Sequence, residues 1–448
     1  MRTRSVKSMA RIGKRILFLS CISMSLSAQT QVSFSSLDQV FEYAAKNNIR
    51  LITAETQKQI ADGQIRQSYS TLFPTVTLNG NYTDNIKIQP TLVPLSLFGG
   101  AEGTYSEEKF GRRYVYNANL AAQVNLLNLQ DWFTIRASKY NAEVARLNIE
   151  KTKLELFDQV AAAYYNYLLW QEVENISLQN FRVADSTLMI LNNRLNEGAI
   201  SDLQLNIALI NRQKSLGTFK TAQTNQTISV NNLKMLLNIK KQDTLLISEQ
   251  LNGELPSPGV AGRSSFSNTE VRIAHAQTLL AKNTLRTSRA TFAPSLYAVY
   301  QYSSQIAGDQ FLSFENTNNI SQQYFGLRFS VPLFTGGYRR QLLQNNSIDY
   351  QGKLKTYEAL KDQADMDNNN LLIEYNSAYE QLLDAKKIVG YYQKNDRHAQ
   401  KMLNEGLIST DDRLKIFSDY LAYQNEYIRV LSNYLVNDYR IKIRQTIY

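Results

Sequence analysis

Residues 324–331 alternate between polar and apolar side chains, and the apolar set consists of Phe325, Leu327, Phe329 and Val331. This period of two predicts a strand with two unlike faces. After Pro332 and the Gly336-Gly337 pair, apolar residues recur at steps of three and four, which indicates one stripe of a helix. An unbroken helix from Tyr338 to Glu405 would be about 100 Å long, roughly three times the thickness of a bilayer core.

The same pattern occurs earlier in the chain. A capping-box pattern at Ser35–Asp38 opens a predicted helix that continues to about Leu72. Alternating strands are predicted from Thr75 to Tyr82 and from Tyr114 to Leu126, separated by a Gly- and Pro-rich loop over 88–112. Residues 129–197 contain neither proline nor glycine, which predicts a second long helix, and a shorter return helix follows over 201–239.

These two halves indicate an internal duplication. Asn-Glu-Gly ends both long helices, and Gly198 and Gly406 are 208 residues apart. The segments Val124-Asn-Leu-Leu and Val331-Pro-Leu-Phe are 207 residues apart, whereas Pro74 and Pro294 are 220 apart. An offset that changes only within a loop is what an old tandem repeat should show. The predicted repeats cover 29–250 and 267–448, joined by a polar linker over 251–266.

The first 28 residues are typical of a secretory signal peptide. They hold six basic residues and no acid, followed by an apolar run that ends in small residues. The formal charge of +10 would fall to 43 basic against 39 acidic residues without them, so the composition is not that of a nucleic-acid-binding protein. A lipoprotein signal that uses Cys21 is an alternative. No later stretch approaches 18 consecutive apolar residues, so no transmembrane helix is predicted.

Two strands in each half make four in the chain, and four amphipathic strands cannot close a barrel alone. Open strand edges in lipid would leave backbone groups without partners, at several kcal/mol each. Three copies would supply twelve strands. We therefore predict a mainly α fold with long α-helical hairpins and four β-strands per chain, which contribute to a 12-stranded trimeric membrane barrel.

The chain resembles the TolC-like outer-membrane efflux proteins over its whole mature length. The resemblance rests on four features of the sequence. They are residues 37–48, the dipeptides Phe73-Pro74 and Ala293-Pro294, the segment Ser330–Arg339, and the paired Asn-Glu-Gly turns, each with an Ile-Ser pair shortly after it. It implies a homotrimer in the cell outer membrane that extends into the periplasm. It also implies a periplasmic adaptor (membrane fusion protein) and an inner-membrane RND or ABC pump as partners. The chain itself would contact outer-membrane lipid.

The resemblance further implies a periplasmic gate lined by acidic residues just after the second turn. That position is Asp412, with Asp411 beside it, and Asp202 lies nearest the first turn. Lys415 stands where the family pattern has a further acid. An acid in the first turn of a helix also favours the helix dipole without any channel role. The adaptor-contact tips implied by the family are Gly198, Gly406, Glu197 and Glu405.

No nucleophile, nucleotide-binding motif or metal-ligand spacing stands out in the sequence. We therefore expect no enzyme activity, no cofactor, no metal site and no nucleic-acid partner. The predicted function is the passive outer-membrane channel of a tripartite efflux or type I secretion system. The alternative is a non-conducting exported coiled-coil adaptor or tether across the periplasm, which would not need a lipid-facing barrel.

Overall fold

The computed structural model describes residues 31–251, 268–313, 315, 317–405 and 407–446. The predicted signal peptide 1–28 with Cys21 lies outside these residues, as does almost all of the predicted linker 251–266. The repeat boundaries therefore stay predictions. The described helices are α1 (Leu37–Asn47), α2 (Ile49–Tyr69), α3 (Leu129–Asn196), α4 (Asp202–Leu236), α5 (Thr269–Ala290), α6 (Tyr338–Asn404) and α7 (Thr410–Thr446).

The long helices confirm the predicted rods, because α3 has 68 residues and α6 has 67. None of the described helices is long and apolar enough to cross a membrane.

Eight strands are present in the described part of the chain, which is more than the four predicted. They are β1 (Gln31–Phe34), β2 (Thr75–Asp84), β3 (Thr91–Pro94), β4 (Tyr105–Glu108), β5 (Tyr114–Leu127), β6 (Thr244–Ile247), β7 (Ser295–Gly308) and β8 (Asn318–Ser330). The four predicted strands form one sheet. The other four have only four residues each, too few for a period of two to stand out. β1 and β6 pair in parallel, and β3 and β4 form a hairpin within the predicted loop.

A single helix from Ser35 to Leu72 was predicted, and this prediction is wrong at Asn48. Its backbone is extended (φ −72°, ψ 125°), so it separates α1 from α2. The Asn48 side chain accepts a hydrogen bond from the Arg50 N–H and donates one to the carbonyl of Leu236. The helix breaks because its own cap residue also joins the end of α4, a contact 188 residues away in sequence.

The helices form columns around α3. On one side α2 and α4 lie end to end along it, joined where Asn48 bonds to Leu236. On its other side lie α5 and α7, and both of these also pack on α6. The Thr278 hydroxyl, for example, donates to the carbonyl of Lys353 across the α5–α6 contact. Two shorter helices thus pack along one long helix, and this arrangement occurs twice.

Two buried clusters hold these columns together. The first brings α1, α3, α4 and the β1–β6 pair around Tyr164, Leu233 and Val40. Burial raises the pKa of the Tyr164 phenol, and its hydrogen bond to Glu249 raises it further. The second cluster joins α3, α6 and α7 through Ile176, Leu382 and Leu431. Both halves of the chain therefore share α3 as a common support.

Candidate functional site: an amphipathic sheet above a helical stalk

The four long strands form an antiparallel sheet in the order β2-β5-β7-β8. The central pair, β5 and β7, joins the second strand of one half to the first strand of the other. β2 and β8 are left at the edges. All four connections to helices leave from one end of the sheet, and the loops 85–113 and 309–317 lie at the opposite end. The sheet is therefore carried on the stalk of helix columns.

The strand register separates two chemically different faces, because directly paired residues point to the same side of a sheet. One cross-strand row is Val76, Ala122, Tyr300 and Phe325. Neighbouring rows of this apolar face add Leu78, Leu120, Ala298, Leu327 and Phe329. The opposite, polar face carries Thr77, Asn79, Asn117, Asn119, Gln301, Ser303, Gln322, Tyr324 and Arg328.

No part of the chain that the structure describes covers the apolar face. Leu78 is 73% exposed and Phe325 is 71% exposed, although both are large apolar side chains. A contiguous apolar surface of this kind marks a contact with lipid or with another protein. The arrangement of one apolar and one polar face is the arrangement that a membrane strand needs between lipid and an aqueous lumen.

Aromatic residues collect at the loop end of the apolar face. Tyr82 lies with its ring centroid 5.3 Å from that of Tyr116 and 5.7 Å from that of Phe311, and Tyr114 joins the cluster. From the sequence, Tyr82, Tyr114 and Tyr116 fit either a membrane-interface girdle or ordinary strand packing, and their shared face depends on the register between strands. Tyr324, also in a strand, lies on the polar face instead, where its hydroxyl bonds to Gln301 at 2.7 Å.

The far end of the stalk contains the first predicted contact tip. Gly198 adopts the left-handed conformation (φ 71°), and the Ala199 N–H bonds back to the carbonyl of Arg194 at 2.8 Å. These are the marks of a glycine-terminated helix. Glu197 is exposed beside the turn.

The second tip repeats this geometry. The Leu407 N–H bonds to the carbonyl of Met402 at 2.8 Å, at the corresponding positions of the other half. Glu405 is exposed there, as Glu197 is at the first tip. The predicted contact residue Gly406 lies outside the described residues.

The predicted gate residues Asp202, Asp411 and Asp412 are all exposed in the first turns of the return helices α4 and α7. Asp412 has local partners. The Ser409 hydroxyl donates to its carboxylate at 2.6 Å, and its own N–H donates to the Ser409 oxygen at 3.1 Å. This is a helix-capping arrangement. Asp411 lies instead beside Lys415 on a cleft of about 500 Å³ between the two hairpins, whose lining does not include Asp412 or Asp202.

A group of contacts around Arg413, just above the second tip, was not predicted from the sequence. The Arg413 guanidinium lies 2.8 Å from the Asp396 carboxylate, donates to Gln400 at 3.0 Å and stacks 5.0 Å from the centre of the Phe417 ring. These contacts hold the start of α7 against the end of α6. In the first half Arg212 similarly joins α4 to Asp185 on α3. No spacing of residues in the sequence predicts such pairs, because the partners lie on different helices.

No group of three or more His, Cys, Asp or Glu side chains in the described part of the chain is placed to hold a metal ion. The described residues present an apolar face, a polar face and an exposed polar tip.

Comparison with known proteins agrees with this geometry. Residues 40–238 match the family model described as outer membrane efflux protein. The chain is 22% identical over 295 residues to the toxin and drug export protein A of Aggregatibacter actinomycetemcomitans, covering 62% of this chain and 61% of that one. It thus spans about three fifths of that relative's length. It is also 20% identical over 436 residues to the outer membrane protein TolC of Escherichia coli (strain K12), covering 94% and 84%.

Solved structures share the fold. The CmeC outer membrane channel of Campylobacter jejuni superposes with a TM-score of 0.75 at 17% identity, covering 91% of this chain and 85% of that one. The outer membrane protein VceC of Vibrio cholerae superposes with a TM-score of 0.70 at 16% identity, covering 91% and 95%. Both superpositions show a shared fold over most of each chain.

Proposed function

We propose that this chain, which is a TolC-like outer-membrane efflux protein of the outer membrane and the adjoining periplasm, is one third of a passive export conduit. Three copies would form the outer-membrane channel of a tripartite efflux or type I secretion system. The observation that carries the proposal is the four-stranded sheet with one apolar face, one polar face and two unpaired edges.

The edges of the sheet support a trimer. β2 and β8 run in opposite directions, so the β2 edge of one copy can pair antiparallel with the β8 edge of the next. Leaving these edges open in lipid would cost several kcal/mol for each unpaired backbone group. Twelve strands from three copies close the sheet with the polar face inward and leave room for a lumen.

The helix columns repeat this logic below the sheet. α2 leads into β2 and α6 follows β8, so the outer columns of the stalk end at the same two edges as the sheet. Both outer columns expose large apolar residues. On α6 these are Ile348, Met366, Ile373 and Tyr391, and on α2 and α4 they are Ile52, Ile60, Leu209, Ile210, Ile228 and Met235. Packing of α6 against the α2–α4 column of the next copy would cover both sets and close a helical tunnel.

A conduit of this kind needs partners to supply energy and direction. We propose a periplasmic adaptor that contacts the tips at Glu197, Gly198, Glu405 and Gly406, and an inner-membrane RND or ABC pump behind it. The face that would line the lumen carries neutral polar side chains, some apolar ones such as Val299 and Ile320, and the cation Arg328, so it offers solvation rather than chemistry. We infer that the chain itself is not an enzyme and that the pump selects the cargo.

Heat-modifiable electrophoresis and planar-bilayer recording test the proposal directly. Protein extracted from the outer membrane is expected to migrate as a trimer without heating and to conduct ions after insertion into a bilayer. A fully folded monomer would overturn the proposal. A folded trimer that does not conduct would favour a periplasmic tether, although a tether has no need for the exposed apolar face of the sheet.

The gate role of Asp412 is tested by its charge. In a trimer three Asp412 carboxylates would surround the lumen, so Asp412→Ala is expected to raise the half-blocking Mg²⁺ concentration roughly tenfold, equivalent to about 1.4 kcal/mol. Asp412→Asn is the matched control, because the amide can still accept the Ser409 hydrogen bond but carries no charge. It should lose the Mg²⁺ block as the alanine variant does. Normal block in Asp412→Asn would leave Asp412 as a helix cap only.

A further inference from the structure

The loop between β2 and β5 has an ordered shape. Its β3–β4 hairpin ends in a short 3₁₀ turn at Leu95–Phe98, closed by the left-handed Gly99. The Leu95 N–H bonds to the carbonyl of Thr104, and the Gly100 N–H bonds to the carbonyl of Leu95, both at 2.9 Å. The hairpin therefore presents its tip in a defined conformation.

The base of this loop is fastened to the strand ends. The Asn85 N–H bonds to the carbonyl of Arg113 at 2.7 Å, and the Asn85 side chain bonds to the carbonyl of Arg112 at 3.0 Å. Arg113 pairs with Asp84 at 2.9 Å, and Arg112 pairs with Asp309 in the neighbouring loop. The base is thus a fixed platform at the end of the sheet away from the stalk.

Two apolar patches on this loop are left uncovered by the described residues of the chain. The tip patch consists of Leu97 and Phe98, and Phe98 is 80% exposed. The base patch consists of Ile86 and Phe110, and Ile86 is 90% exposed. Because the same loop exposes both patches, a ring of identical copies can cover each tip patch with the base patch of a neighbour. Head-to-tail contacts of this kind form a closed ring when the rotations between successive copies add up to a full turn.

The charges have the same complementarity. The tip loop 95–104 carries Glu102 and no basic residue, whereas Glu107 and Glu108 lie at the base end of the hairpin, where β4 pairs with Leu92 and Thr91. Lys87 and Lys109, both exposed, lie beside the base patch. Phosphate headgroups of an anionic lipid surface would repel such an acidic tip loop, whereas the basic platform of another copy would attract it. The favoured occupant of the tip patch is therefore a second copy of this chain.

We propose that the tip patch of each copy packs on the base patch of the next copy, so that three loops form a ring around the outer mouth of the channel. This inference rests on the proposed trimer. Four strands separate equivalent points of the rim, a distance of about 20–25 Å with strand tilt. The ten residues from Asn85 to Pro94 can reach at most about 33 Å. This upper limit exceeds the distance between equivalent points of neighbouring copies.

Disulfide crosslinking tests the contact. The chain has a single cysteine, Cys21, in the predicted signal peptide, so introduced cysteines provide the only other thiols. On oxidation in intact cells, the double variant Ile86→Cys/Phe98→Cys is expected to form covalent dimers and trimers that survive heating. The single variants Ile86→Cys and Phe98→Cys are the matched controls and should remain monomeric after heating.

Other outcomes would overturn the proposal. Crosslinking by Phe98→Cys alone would mean that tips meet tips, and consumption of both thiols without a higher mass would mean a contact within one chain. Unheated migration is read on the same samples. Intact trimers without crosslinks would overturn the ring while the proposed channel stands, whereas the absence of trimers would overturn both.

A charge exchange provides a second measurement. In the double-cysteine chain, Glu102→Lys is expected to slow interchain crosslinking severalfold, because the new lysine in the tip loop 95–104 would then face Lys87 and Lys109 of the next copy. Adding Lys87→Glu/Lys109→Glu should restore the rate. An unchanged rate in the first variant, or no recovery in the second, would contradict the assigned pairing.

Discussion

Leu78→Arg is expected to prevent assembly of the chain in the outer membrane, whereas Asn79→Arg should leave assembly intact. The two residues are neighbours on β2, but Leu78 belongs to the apolar face and Asn79 to the polar face. A cation placed on the lipid side near the middle of a membrane strand costs about 2–4 kcal/mol, and a trimer would carry that cost three times. The measurement is the amount of heat-modifiable trimer in the outer-membrane fraction.

The two variants can be compared directly because both side chains are exposed in the single chain. Neither substitution removes packing within the chain, so a difference between them reports on the surroundings of the sheet. Equal assembly of both variants would mean that the apolar face does not contact lipid. Loss of assembly only in Asn79→Arg would mean that the two faces have been assigned in reverse.

Leu431→Ala is expected to lower the free energy of unfolding by about 2–5 kcal/mol, the range measured when large buried aliphatic residues are cut to alanine. Leu431 is 1% exposed and belongs to the cluster that joins α3, α6 and α7. The cavity left by alanine would lie where the second hairpin packs on the first. Denaturant unfolding of the detergent-solubilised protein, followed by circular dichroism, would measure the loss.

Leu203→Ala is the matched control, since it deletes the same atoms at the start of α4, where Leu203 is 68% exposed. Its expected effect is below about 0.5 kcal/mol, which is usual for surface substitutions. Similar losses in both variants would show that the α3–α6–α7 cluster does not contribute specially to stability.

Periodicity predicted the elements that are long. The strands β2, β5, β7 and β8 and the rods α3 and α6 were all expected, because a period that is sustained over several successive residues outweighs local noise. The helix end at Asn48 is a feature that periodicity did not predict. Nothing around it suggests a break, and the helix stops there because its side chain bonds to Leu236 in a distant element. The short β1–β6 pair was missed for the same reason, since each strand is stabilised by the other.

The candidate site also combines features that the sequence predicted with features that only the structure showed. Alternation assigned Phe325 and Tyr324 to opposite sides of β8, and their row partners confirm those sides. The resemblance to the efflux family pointed to Asp412, but its bonds to Ser409 came only from the structure. Its part in a gate stays a proposal. The pairing of Arg413 with Asp396 could not have been read from the chain, because the partners are on α7 and α6.

The order of apolar and polar residues was sufficient to establish long rods, two-faced strands and their repetition, since periods of 3.6 and 2 are local properties of a helix and a strand. The order of strands in the sheet, the end-to-end columns beside α3 and the faces left uncovered arise only when distant elements meet. Local geometry decides which side of an element is apolar, and long-range packing decides which of those sides is already covered and which must find its partner in lipid or in another copy.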